Sequence, residues 1–240
     1  MAKQAIFGEP RVQRGWTVFA IMALVVIAVI AAGFGPSYAA SLGAPGLPFW
    51  VHLHGAVMTT WVLLFALQTA LVRRRSLALH RALGFTSIGL VVVMVPLAIA
   101  TDLLAIQRDA VPPFFTPAMM FAADLSDIVV FAVLFGWAVA LRRRRDWHAR
   151  LLLCATVVLT WPALGRLAPL HRFGLAMIVP LATAVLIALA LVGPLNDLVR
   201  RGRVHPAYLW GVGLITLAQV LHGPIAASAP VRAIVAAVTP

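Results

Sequence analysis

The sequence is poor in charge and poorest in acid. Seven Asp and Glu stand against nineteen Lys and Arg, and charged residues make up only 11% of the chain, against 62% hydrophobic. So little polar material cannot cover 240 residues in water, and lipid must be the solvent. There is a single cysteine, Cys154, which excludes an internal disulfide. Its place within an apolar run reads as that of a small core residue.

What is present is a series of seven long apolar runs, near 16–34, 49–72, 82–105, 119–141, 148–166, 174–198 and 207–227. Each is long enough for a hydrocarbon core that takes about 20 helical residues to cross. The runs are continuously apolar rather than alternating, which specifies helices and not barrel strands. The expected fold is all-α, a polytopic bundle of seven transmembrane helices forming one integral membrane domain over 1–240. The outer connections, 35–48 and 106–118, are Gly- and Pro-rich loops too short for a folded ectodomain. The N-terminal basic residues, apolar run and PSYAAS segment also resemble a secretory signal. The length of the run favours a retained first helix.

The net charge of +12 has a topological explanation. Lys3, Arg11, Arg14, and the stretches RRRSLALHR (73–81), RRRRDWHAR (142–150) and RRGR (200–203) hold fifteen of the nineteen basic residues, all at one end if every run spans. The positive-inside rule puts that end and the N-terminus in the cytoplasm, and the C-terminus outside. The basic excess therefore points to the bilayer and its anionic lipids as partners, and not to nucleic acid. Three times, arginines close one helix and a histidine opens the next, at His80, His148 and His205. This describes three similar hairpins after a lone first helix.

The few polar residues share faces. At about 100° per residue, His54, Met58, Trp61, Phe65 and Gln68 lie on one side of the second helix. His52 is turned about 200° from His54 and is expected at the headgroup level or on a neighbouring helix. His80 and Asp102 fall on one side of the third helix. Asp124 and Asp127 are neighbours in one turn of the fourth. His148 and Arg166 lie along one face of the fifth, and Tyr208, Gly211, Ile215, Gln219 and His222 along one face of the seventh. Two polar clusters result, about 25 Å apart by helix rise. The outer one holds His54, Asp102, Asp124, Asp127, Arg166, Gln219 and His222, with His52 and His171 nearby. The inner one holds Gln68, His80, His148, His205 and Asp197. Ionisable groups inside a span are costly and usually mark function. Simpler roles compete: His80, His148 and His205 as interfacial residues, Asp197 and Asp146 as partners of adjacent arginines, and Trp50, Trp147 and Trp210 as interface anchors.

Four motifs, HLHG (52–55), LHRALG (79–84), HARLLLCAT (148–156) and RVHPAYLWG (203–211), resemble those of a family of bacterial polytopic membrane proteins. The resemblance runs from residue 49 to about 211, implies a place in the bacterial inner membrane, and singles out His52, His54, His80, His148 and His205. A looser likeness is to b-type haem membrane proteins, in which histidines of different helices ligate a porphyrin near each face. The common pair of histidines 13 or 14 residues apart is replaced here by His54 and Gln68. Retinal proteins fit less well, because Lys3 is the only lysine. Membrane hydrolases of the ceramidase and progestin-receptor type also fit less well, because no H-x-x-x-H occurs.

The leading expectation is a redox protein binding haem b. His54 with His222 would hold an outer haem, and His80 with His148 or His205 an inner one. The arginine runs would pair with propionates. Its electron partner would be a quinone or another membrane-complex subunit. The alternative is a non-haem Zn, Fe or Mn site built from His54, His222, Asp124 and Asp127. In both, His52, Asp102, Arg166, Gln219 and Gln68 support the ligands. An accessory or assembly subunit and a proton-coupled transporter are further readings, the last weakened by an apolar middle.

Overall fold

The computed structural model describes residues 10–41 and 47–239, with the side chains of 10–16, 168 and 171 excepted. The basic side chains of Lys3, Arg11 and Arg14, the loop residues 42–46 and the side chain of His171 therefore lie outside the described residues. Among the described residues the secondary structure is helical throughout. The elements are α1 (Pro10–Ser41), α2 (Phe49–Arg73), α3 (Leu77–Gln107), α4 (Pro117–Ala140), α5 (Arg145–Val158), α6 (Trp161–Leu164), α7 (Ala168–His171), α8 (Leu175–Arg201), α9 (Pro206–Ala226) and α10 (Ala229–Val238).

Seven spans are long and apolar enough to cross a membrane: α1 from Thr17, α2, α3, α4, α5 continued through α6, α8 and α9. The chain is a multi-pass all-α membrane protein, as its apolar runs require. Burial from water cannot hold such helices together, because lipid is as apolar as leucine; close van der Waals packing must do so. Small residues make the approach possible. A Cβ on Gly211 of α9 would stand 2.5 Å from the Cys154 sulfur of α5, and one on Gly193 of α8 would overlap the Tyr208 ring. The mid-section is filled by Met22, Val26, Met94, Phe131, Leu134, Leu186 and Ile215, all at most 1% exposed. Trp61 stands edge-on to Phe131 at 5.0 Å and to Phe135 at 5.5 Å across the centre. These side chains make the mid-section of the bundle apolar.

Three boundaries differ from the sequence reading, each for a local reason. The expected helix 148–166 breaks after Val158, because Pro162 has no N–H to return to the preceding turn. Thr160 instead donates its hydroxyl to Val157 O at 2.7 Å, and α6 starts afresh at Trp161. Arg166 thus sits in the turn beyond α6, not on the face of α5. The expected loop from residue 35 is helical as far as Ser41, since Pro36 removes only one bond from a long helix and the Ser37 and Ser41 hydroxyls donate to Phe34 O and Tyr38 O. Finally, the ten-residue α10 follows the last span. It is too short to cross and so escapes a search for spans, but its Val231 and Val235 pack on Ile106, Met120 and Phe121 at the outer ends of α3 and α4.

Candidate functional site

The outer cluster assembles where α2, α3, α4, the α6 turn, α8 and α9 meet. Asp127 of α4 is 3% exposed and accepts from the Gln219 amide of α9 at 2.9 Å. Gln219 accepts in turn from the Thr183 hydroxyl of α8 at 3.2 Å, and Thr183 from the Trp161 indole at 3.1 Å. His222, 2% exposed, closes the ring: its Nε2 lies 3.4 Å from Asp127 Oδ1, and its imidazole stands 5.2 Å from Trp161, edge to face. The His222–Asp127 approach is ion-pair distance without hydrogen-bond alignment, so His222 Nε2 stays unsatisfied.

Beside this ring lies a second group. The carboxyl groups of Asp102 (α3) and Asp124 (α4) meet at hydrogen-bonding distance. Arg166 faces both. Burial pulls its guanidinium below the ordinary value, and the carboxylates of Asp124 and Asp102 pull it back up. Its Nη1 donates to Pro162 O at 2.7 Å, and the guanidinium carbon lies 4.8 Å from the centre of the Phe34 ring. His54 of α2 lies within electrostatic reach of Arg166. Buried polar atoms nearly always find partners, yet here His54 Nδ1, Trp61 Nε1, Asp124 Oδ1, Asp127 Oδ2 and His222 Nε2 have none among the described residues.

The seven residues expected at the outer end fall in two adjoining groups, Asp127, Gln219 and His222 in one and His54, Asp102, Asp124 and Arg166 in the other. Trp161 and Thr183 belong with them, and neither stands out in the sequence because neither is ionisable. Thr183 interrupts an apolar run on the side of Ala182 and Leu186, the one local signal for it. His52 is elsewhere: its Nδ1 is 3.0 Å from the Tyr38 hydroxyl, which ties the end of α1 to the start of α2. Among the described residues no three His, Cys, Asp or Glu side chains are grouped to hold a metal ion.

At the inner end the histidines divide. The rings of His80 (α3) and His148 (α5) face each other at 6.4 Å, nearly perpendicular. His148 Nδ1 donates to Ala138 O at 2.8 Å, at the carbonyl end of α4, which leaves Nε2 with its lone pair. His80 Nδ1 is buried with no partner, and Gln68 donates to His80 O at 3.1 Å while its own Oε1 stays unpaired. His205 stands apart. Its Nδ1 accepts from Ala207 N at 3.1 Å as the N-cap of α9, and its ring packs edge-on to Trp147 at 5.3 Å. Burial and the nearby Arg150 guanidinium hold the His205 pKa below its ordinary value. Trp147, Trp137 and Trp210 cluster on the same side.

Asp197 is paired, but its main partner is not the adjacent arginine. Arg150 of α5, 3% exposed, grips it through two bonds of 2.8 Å, while Arg201 lies at 3.5 Å. Arg150 also donates to Asp146 and lies 5.5 Å from the Tyr208 ring centre. Its charge is held inside the bundle, unlike that of the exposed Arg142 to Arg145 just before it. It lies with Leu151 and Cys154 among the buried residues of α5. Comparison with protein-family models, curated proteins and solved structures gives no match, so the function is argued from this geometry alone.

Proposed function

We propose that the protein is a redox protein of the bacterial inner membrane that carries one b-type haem between His80 and His148 and exchanges electrons with a quinone or a neighbouring subunit. The observation that supports it is the pair itself. Two imidazoles from different helices face each other at 6.4 Å, close to the roughly 6 Å expected when two bonds of about 2.0 Å and two ring radii of about 1 Å separate them across one metal. His148 suits a ligand because its other ring nitrogen is held by a backbone carbonyl, the usual second partner of a ligating histidine. The orphaned nitrogen of His80 is the other half of the argument.

The surroundings fit a porphyrin with carboxylate arms. Arg73, Arg74, Arg75 and Arg81 flank His80, and Arg142 to Arg145 precede His148, all exposed at the same end; they would meet propionates by charge-assisted bonds. Bound haem would supply one-electron chemistry. The chain's part is to hold the two rings, shield them from the apolar side and neutralise the acid groups. His205 is left out of the ligand set because its Nδ1 is occupied as a helix cap. His54 and His222 are left out because His222 is wedged between Asp127 and Trp161.

The test is an absorption spectrum of the detergent-purified protein, oxidised and dithionite-reduced, with haem supplied during expression. One haem per chain is expected, with a Soret band that sharpens on reduction. His80→Ala and His148→Ala should each lower the haem content at least tenfold, whereas His54→Ala, His205→Ala and His222→Ala should keep it. A colourless wild-type protein, or full haem in both His80 and His148 variants, overturns the proposal.

A further inference from the structure

The outer network has more acid than its one buried guanidinium balances. Asp102 from α3, Asp124 and Asp127 from α4 and Arg166 from the α6 turn make three carboxyl groups against one fixed cation. The other elements packed there bring no second guanidinium: α2 gives His54 and Trp61, α8 gives Thr183, and α9 gives Gln219 and His222. Arg232 of α10 and Arg172 beyond α7 are exposed. A net charge of about −2 inside a helical bundle is expensive, because the surrounding lipid and apolar side chains cannot solvate it. Positive charge has to enter the network, and no group of three donors is arranged to take it as a metal ion among the described residues.

We propose that this outer network is a proton-binding centre, in which Asp102, Asp124, Asp127 and His222 take up and release protons at the outer face. Asp102 and Asp124 are neighbouring buried carboxyl groups, and since two carboxylate oxygens are both acceptors, a bond between them needs a proton. Asp127 Oδ2 and His222 Nε2 are an acceptor and a ring nitrogen, each without a hydrogen-bond partner among the described residues, in residues only 3% and 2% exposed, and His222 Nε2 lies 3.4 Å from the other carboxylate oxygen, Asp127 Oδ1. Gln219 donates to Asp127 Oδ1, the oxygen that His222 Nε2 approaches, and leaves Oδ2 free.

The site is shallow. Asp102 lies five residues before the end of α3 and Asp124 seven residues after the start of α4, about 7 to 11 Å along the helix axes. Below it, Trp61, Phe131 and Phe135 close the bundle. Protons thus enter and leave from the outer side without crossing. Each uptake turns one carboxylate into a carboxyl group or one imidazole into imidazolium, the proton coming from water, with no change in oxidation state. This centre is independent of haem binding at the other end.

Infrared difference spectroscopy on the full chain in liposomes tests the proposal, with the external pH stepped in H₂O and then in D₂O. A deuterium-sensitive carboxylic acid C=O band is expected, with an amplitude that follows external pH. Asp102→Asn and Asp124→Asn should each remove at least half of it. Arg166→Gln should enlarge it, because the lost cation must be replaced by a proton. If an Asn variant fails to fold, the wild-type titration decides by itself. Absence of such a band at every pH at which the protein stays helical would sink the proposal. So would an undiminished band in folded Asn variants. A stoichiometric divalent metal whose removal by chelator creates the band would replace the proton with that metal and overturn the assignment.

Discussion

The two ends of the bundle use the same residue types in different states of completion. At the inner end Arg150 and Asp197 form a matched pair with two short parallel bonds, and Asp146 and Arg201 extend it toward solvent. Charge there is balanced, and every fork atom of the Arg150 guanidinium has an acceptor. At the outer end three buried carboxyl groups stand against one buried guanidinium, and five buried polar atoms have no partner among the described residues. A matched buried pair is what a bundle needs to join α5 to α8, and it requires no further explanation. An unmatched one is retained only where something else completes it. The inner ion pair is therefore architecture, while the outer network, and the histidine pair beside the inner arginines, are the places where function is to be sought.

The largest expected effect tests the architectural half of this contrast. Arg150→Met alone should strand Asp197 and cost about 3–5 kcal/mol, whereas Arg150→Met with Asp197→Leu should restore most of the loss. Thermal unfolding of the two variants in detergent reads the difference. If the single variant is as stable as wild type, the pair is not the joint described above. A smaller effect is expected at the outer end. Gln219→Leu removes the donor that holds Asp127 and should cost about 1–3 kcal/mol, the penalty of leaving one buried acceptor bare. A variant that becomes more stable would show that Asp127 needs no such donor.

The smallest effect concerns His205, which caps α9 with a neutral nitrogen. Its folded pKa lies below the ordinary value of 6.5, so the unfolded chain binds the proton more readily. Its contribution to stability is present above about pH 6.5 and fades as pH falls through that value toward the folded pKa. Comparing melting temperatures at neutral and mildly acidic pH should show a drop that His205→Ala largely removes. An equal drop in the variant would place the pH sensitivity elsewhere.

Much of the outer network could be read from sequence because its members are rare in an apolar chain and recur at helical spacing. Asp124 and Asp127 in one turn, and Gln219 with His222 on the face of Tyr208, need only a regular helix to become neighbours. The inner end was less legible. Arg150 was hidden among thirteen other arginines of the same end, and nothing local distinguishes a buried guanidinium from one that marks topology. His80, His148 and His205 are alike in sequence, each just after an arginine turn, yet two face each other and the third caps a helix.

By itself, then, the sequence determined the solvent, the seven spans, the basic end and the polar faces of α2, α3, α4 and α9, because these follow from composition and from periods within one element. Only the tertiary structure decided which faces meet: Asp197 with Arg150 rather than with its neighbour alone, Thr183 and Trp161 with Gln219, and His80 with His148. Those pairings depend on which helices lie side by side. In lipid that is settled by close packing, such as that of Gly211 on Cys154 and of Gly193 on Tyr208, and packing between distant segments leaves no periodic trace in a single chain.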